Sequence, residues 1–584
     1  MRPPVTAATI LSLWLAAAVP AQEGTTVPAF PLDEIERGAK GYGLSVFAGT
    51  EPQRFDVELI GLINNLHPDT SFVLARLSGH DLERSGVVGG MSGSPVYIDD
   101  KLVGAVAFSW SFTHEAIAGI TPIGAMRDLG SRPRQPAAAA PQAVSLAELA
   151  SGDIPEERLH RRLAALAPRS LDGAGSQLQF TTVGFGGATR GFLAQALGPV
   201  APAGSRPDLD TELLPGSAVA AVLIGGDLEF AASGTITERR GDQVVAFGHP
   251  YLGMGAIDIP MATSEVVTVI SSQASSFKVS NVGPVVGAFR EDRMAGISGR
   301  IGATAPTIPM EIRISGDPGS RYRLELAELS VSTPTLSALA LLEAVNATHG
   351  QSGNQDLEMR AGVQLRGHAP VELGQHFSGT SATMGSAIYL LSVLNFLLNN
   401  GDEDVVIDGI EVDLIQEPQP RTVSLVAAHA SRRNVRPGEE ITVHLDLRRY
   451  RGETFRRDVR VTVPDDVRRG PYFLFVGESA AIDSAKLQMQ PREPRTFSES
   501  LELLRSFHHP DELVILGVVP ARGLVVEGRA LPDLPASVRS IWAAAGPLAA
   551  KASALAIRDE SSRELDFPLS GAARLDLNVL PAID

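Results

Sequence analysis

No cysteine occurs among the 584 residues. That excludes disulfide frameworks, zinc ribbons, iron–sulfur clusters, a cysteine nucleophile and a lipid-modified amino-terminal cysteine. Aromatic residues are scarce, at 5%. Positive charge is outnumbered, with 50 Lys and Arg against 67 Asp and Glu, for a formal net charge of -17. So acidic a chain is a poor match for nucleic acid or an anionic membrane surface. Beyond the amino terminus, the one candidate span is 387–398 (AIYLLSVLNFLL). It falls well short of the roughly 20 residues that cross a bilayer, and reads as a core helix.

What is present points to a globular, mainly β chain. Hydrophobic residues reach 44% and charged residues 20%, enough for packed cores rather than disorder. At roughly 100–200 residues per domain, this length implies about three to five domains. The 57 glycines and 40 prolines favour turns and short strands over long bundles. The first residues (MRPPVTAATILSLWLAAAVPAQEG) carry Arg2, a short apolar stretch from Val5 to Val19, and small residues before Gln22. This is the anatomy of a signal peptide over 1–21. The expected location is therefore outside the cytoplasm, in the periplasm or beyond the cell, with envelope association open.

Residues 22–130 read as short strands separated by turns, and Asp99-Asp100 sits between two apolar runs as in a tight hairpin. A Pro/Ala linker at 131–145 and a helical stretch fill 131–204, and strands return over 205–315. An α+β domain is expected over 316–420, a small β-sandwich over 421–488, and an α+β region over 489–584. No tandem repeat of solenoid period is present.

Two features carry chemistry. Residues 89–95 read GGMSGSP and lead into a strand, a turn and a second strand. Glycines let successive backbone N–H groups converge on one point, as an oxyanion hole needs. Ser92 is then the nucleophile, with the Gly90 and Ser92 amides as oxyanion donors. The bland alternative is an ordinary Gly/Ser loop, and the length of the string and the hairpin after it argue against that. A serine hydroxyl needs a base. His249, in DQVVAFGHPYLGMG, closes an apolar strand between Gly248 and Pro250, where a rigid backbone would hold its ring. Its bland reading is a structural turn histidine; His80 and His114 are the local rivals.

These blocks resemble the SpoIVB-type serine peptidases, the stage IV sporulation protein B family. One is RGAKGYGLSVFAGTEPQRFDVELIGLI…RSGVVGGMSGSPVYIDDKLVGAVAF…AGITPI at 37–123. The other is GTITERRGDQVVAFGHPYLG…VGPVVGAFREDRMAGISGRIG at 234–302. Together they span a little over a quarter of the chain. The resemblance implies a trypsin-like double β-barrel, with the serine-bearing half at 22–130 and the histidine-bearing half at 205–315. In the sporulation peptidases the histidine half comes first, so the order here implies a circular permutation. The family's acidic residue aligns with Ser78, a departure that leaves the third triad member open. Asp292 is preferred, ahead of Asp258 and Asp81; the bland reading of Asp292-Arg293 is a surface salt bridge.

The reading is an exported serine endopeptidase, with self-cleavage open, that acts on protein or peptide through an acyl-enzyme on Ser92 with His249 as general base. No metal, organic cofactor or nucleic-acid partner is implied, and the carboxy-terminal domains could meet envelope proteins. The alternative is an inactive peptidase fold that grips peptides or envelope partners by strand addition.

Overall fold

The computed structural model describes residues 26–581, except 68–69, 111, 132–143, 153, 167–174, 177, 316–319, 350–354, 418–419, 491–493, 495, 527–528, 532–533 and 545–549. The expected signal peptide and the centre of the Pro/Ala linker lie outside the described residues. The chain is mainly β, as its turn-rich composition implies.

The first barrel is built from β1 (Lys40–Ser45), β2 (Gln53–His67), β3 (Thr70–Ser78), β4 (Pro95–Ile98), β5 (Lys101–Ser109) and β6 (Ile117–Pro122), with α1 (Leu82–Ser85) between β3 and β4. The pairings run β4–β1–β2–β3–β6–β5, and β5 returns to β4, so the ring closes. Closure removes open edges. The β4–β5 hairpin turns at Asp99 and Asp100, both at positive φ, as a tight two-residue turn requires. Phe55, Val57, Leu77, Val88, Met91, Val96 and Ile120 fill the interior.

A second ring comprises β7 (Ala218–Gly226), β8 (Glu229–Arg240), β9 (Gln243–Ala246), β10 (Gly255–Ile270), β11 (Phe277–Arg293) and β12 (Gly296–Ile301). It also closes, in the order β7–β10–β11–β12–β9–β8–β7. The two rings are the trypsin-like double barrel that the resemblance implies. They are joined by backbone bonds, including Gly49 with Val266 and Gly89 with Ser276 and Lys278. Arg127 adds an ion pair to Glu238 across the junction (2.5 Å).

The expected boundary at 315/316 falls inside a hairpin. β13 (Thr307–Ser315) pairs with β14 (Ser320–Ala327), which pairs with β7 of the second ring. Two long helices, Thr333–His349 and Ala382–Leu398, pack with these strands in one core that includes Leu339, Leu390, Ile312 and Ile236. The apolar span at 387–398 is thus buried inside the protein. Among the described residues no helix is long and apolar enough to cross a membrane. The helical stretch after the linker joins the same core through Leu149, Leu159 and Leu163. Its first helix, Leu146–Ser151, starts at a Ser145–Glu148 capping box.

The boundary expected at 488/489 also cuts a single body. Strands Val423–Ala430, Glu440–Arg449 and Thr454–Thr462 form one sheet. Strands Gly470–Glu478, Glu512–Val526, Ala550–Glu564 and Ala572–Val579 form a second. Val443, Leu445, Tyr472, Leu474, Ile515 and Leu577 from both sheets share one core. The sandwich therefore needs residues from both expected domains.

Candidate active site

The serine loop lies between α1 and β4. Met91 is fully buried in the first barrel and anchors the loop there. Its N–H donates to the Val88 carbonyl at 3.0 Å, and the Gly93 N–H donates to Val106 at 2.7 Å. Gly90 and Gly93 both take positive φ, at 94 and 96°. Strand β8 of the second barrel holds the other side. The Thr235 N–H donates to the Ser92 carbonyl at 2.7 Å. The Thr235 and Thr237 hydroxyls donate to the carbonyls of Gly90 and Gly93, at 2.9 and 2.7 Å. These donors satisfy the carbonyls of a buried loop.

The second barrel delivers His249. Strand β9 ends at Ala246, and Phe247 then takes a positive φ of 71°, uncommon for a bulky residue. The Gly248 carbonyl accepts from the Thr121 hydroxyl of the first barrel. His249 follows, and its Nε2 meets Ser92 Oγ across the barrel junction, 157 residues away in sequence. Nδ1 lies 2.8 Å from the Pro250 carbonyl oxygen. A carbonyl can only accept, so Nδ1 carries the proton and Nε2 presents its lone pair to the hydroxyl. Ser92 Oγ is also 2.8 Å from the Phe247 carbonyl, a second acceptor for its proton.

Both side chains are buried, Ser92 at 0% and His249 at 3% exposure. Burial pushes the imidazole down to about 4, against the pull of the Pro250 carbonyl. The ring is therefore neutral at pH 7 and able to accept a proton. Among the described residues, neither the Gly90 nor the Ser92 N–H is engaged by an acceptor.

Asp292 comes close in space but not to the imidazole. Its carboxylate accepts from the N–H groups of Tyr251, Leu252 and Gly253, each at 2.7 Å, and of Met254 at 3.4 Å. It ties down the turn that follows His249, and the Pro250 carbonyl sits where a triad acid would. Among the described residues no carboxylate pairs with His249. Burial raises Asp292 to about 6, opposed by its four N–H donors. The surface salt bridge weighed for Asp292-Arg293 is also absent: Asp292 is fully buried and Arg293 pairs with Glu291. We expect Asp292→Asn to destabilise the fold by about 1–3 kcal/mol, because an amide NH₂ would face N–H donors. Its activity should fall far less than the roughly 10⁴-fold that follows loss of a triad aspartate's function. Thermal melts and hydrolysis rates of the same preparation check both.

The other candidates lie elsewhere. Asp258 pairs with Arg290. Asp81 precedes α1 in a left-handed conformation and is exposed. Ser78, at the position aligned with the family's acid, ends β3. His80 stacks on Phe47 at 4.4 Å and contacts the Arg54 carbonyl, and His114 is exposed. Beside the loop lies a cavity of about 390 Å³, lined by Ser85, Val87, Ser109, Trp110, His114 and Ser276 among others. The Ser276 carbonyl accepts from Gly89, so this cavity adjoins the strand of chain leading to Ser92.

The carbonyls of Phe247 and Pro250 were not foreseeable from residue types, since any residue supplies one. Lys278 was foreseeable. It alternates with Ser280 and Val282 on the inward face of β11, a strange place for a lysine, and its Nζ reaches the Gly90 carbonyl.

The serine loop, its hairpin and nearly all of its barrel fall inside one recognised region. Residues 20–120 match the family described as SpoIVB peptidase S55. The serine-bearing region is thus similar to the SpoIVB peptidases, a family of peptidases. His249 lies beyond the S55 match and is brought to Ser92 by the fold alone. No curated protein and no solved structure matches the chain.

Proposed function

We propose that the chain is an exported serine endopeptidase working through a Ser92–His249 dyad. The contact between Ser92 Oγ and His249 Nε2 carries this reading. Ser92 Oγ attacks the scissile carbonyl while His249 takes its proton, and the imidazolium returns that proton to the leaving amine. The Pro250 carbonyl holds the imidazole in the tautomer that a triad aspartate would otherwise select. The unengaged N–H groups of Gly90 and Ser92 supply the oxyanion hole. Chain order does not matter to this chemistry, so a permuted arrangement of halves is compatible with it. Export rests on the amino-terminal segment.

One observation favours the second reading, an inactive peptidase fold that grips partners. Ser92 and His249 are closed from solvent, and among the described residues the imidazole has no carboxylate partner. A fluorophosphonate probe separates the two. Covalent labelling of Ser92 that disappears in His249→Ala supports the enzyme. Absence of labelling in the wild-type protein, with peptide binding retained, supports the scaffold. Intact mass of the exported protein reads out both removal of residues 1–21 and any self-cleavage.

A further inference from the structure

A lysine sits buried at the back of the serine loop. Lys278, on β11, is 2% exposed. Its Nζ donates to Ser45 Oγ at 2.9 Å and to the Gly90 carbonyl oxygen at 3.1 Å. Ser45 Oγ also accepts from Ser94 Oγ at 3.0 Å, which links the lysine to the far end of the same loop. Among the described residues no carboxylate pairs with it. A buried lysine is costly unless its donors are used. Here two of them are spent on holding one loop.

The geometry explains what that holding achieves. The peptide between Gly90 and Met91 is pinned at both edges. Its N–H donates to Val88, and its carbonyl accepts from both Thr235 Oγ1 and Lys278 Nζ. The two amides assigned to the oxyanion hole, those of Gly90 and Ser92, flank this peptide plane. If the plane rotates, both amides lose their aim. Gly90 is free to rotate, because it has no side chain and already sits at positive φ. We propose that Lys278 is a positioning residue for the oxyanion loop, whose ammonium, with Thr235, locks the Gly90 carbonyl so that the flanking amides face the cleft. This inference rests on the dyad reading above for its catalytic consequence, while the locking itself does not.

The ammonium form is the stronger lock, because charge-assisted hydrogen bonds are roughly twice as strong as neutral ones. Burial lowers Lys278 to about 7, so the lock loosens as pH rises through neutrality. Few other groups titrate nearby. Ser45 and Ser94 are neutral, and the β10 residue opposite Lys278 is Val269. The Phe47 ring lies 5.9 Å from Nζ, with exposed His80 stacked on that ring. His249 belongs to the dyad and is neutral above about 4.

The test compares wild type, Lys278→Met and Thr235→Val by two readouts. Amide hydrogen exchange, by mass spectrometry, reports the loop at 88–94 and needs no activity. Fluorophosphonate labelling of Ser92 across pH 3–10 reports the site. In wild type the labelling rate should rise through about 4 and fall through about 7. Lys278→Met should exchange the loop about tenfold faster, with the peptide covering β2–β3 unchanged. It should label about 10–100-fold more slowly at pH 6, less than the loss of an oxyanion donor, and without the fall near 7. Thr235→Val should loosen the same loop yet keep that fall. An unchanged loop in Lys278→Met, or a wild-type rate flat from pH 6 to 9, overturns the proposal. Should Lys278→Met unfold, the wild-type profile and the Thr235→Val comparison still decide it. Wild-type protein that never labels while the loop still loosens in Lys278→Met removes the peptidase reading and leaves the lock standing.

Discussion

Ser92→Ala and His249→Ala should each lower peptide hydrolysis by at least roughly 10⁴-fold, and the double variant should lose no more than either alone. The reason is that in the proposed dyad the two groups act as one device. The hydroxyl is a weak nucleophile without the imidazole, and the imidazole has nothing to deprotonate without the hydroxyl. Their contact crosses the junction of two barrels, so each single variant removes the same step. Hydrolysis kinetics for the three variants measure this, with melting curves to show that the barrels remain folded. Additive losses would mean that the two side chains serve separate purposes, and the dyad would have to be abandoned.

Gly93→Ala should be the most damaging small substitution in the protein's first barrel. A Cβ at this position would stand 1.9 Å from the Thr235 carbonyl oxygen and 2.5 Å from the Phe247 nitrogen, both backbone atoms of the second barrel. No side chain can swing away to relieve that overlap, so the barrels must separate. The residue also holds φ at 96°, which costs a non-glycine residue about 1–2 kcal/mol on its own. A loss of about 3–5 kcal/mol or more is expected, in the range reserved for a named steric conflict. Two controls isolate the cause. Gly38 has φ 85° but open space around it, so Gly38→Ala should cost only the conformational part. Gly90→Ala meets the Lys278 side chain at 3.0 Å, a flexible neighbour, and should fall between the two. Chemical denaturation of the three variants ranks them; equal losses would show that the junction is softer than its packing implies.

The local patterns of this sequence carried the architecture well where one strand follows another. The Asp99-Asp100 turn, the serine loop and the strand before His249 all depend on neighbouring residues, and each is present, although that strand stops at Ala246 and leaves the histidine in the turn beyond it. Domain limits were less legible because sheet pairing is nonlocal. A Pro-rich or polar stretch looks like a boundary, yet β13 and β14 bridge residues 315 and 320 in one hairpin. Likewise the sandwich core joins Val443 to Leu577, a partnership that no window of sequence contains. The site divides the same way. Ser92 and His249 announce themselves by glycine-rich turns. Asp292 stands near the right place because its strand runs beside the histidine turn, but its carboxylate faces backbone amides. Whether an acid points at a ring or at a loop depends on a rotation that composition does not encode.

The junction between the barrels also sets a schedule. During synthesis the hydroxyl emerges 157 residues ahead of its imidazole, roughly 8–30 s at 5–20 residues per second. On the proposed dyad, a nascent or truncated chain that stops before the second ring closes holds an alcohol without its base. Any hydrolytic power of the proposed dyad would thus be withheld from the unfinished polypeptide and granted only to one that has completed both cylinders, a safeguard set by chain order rather than by a removable inhibitor.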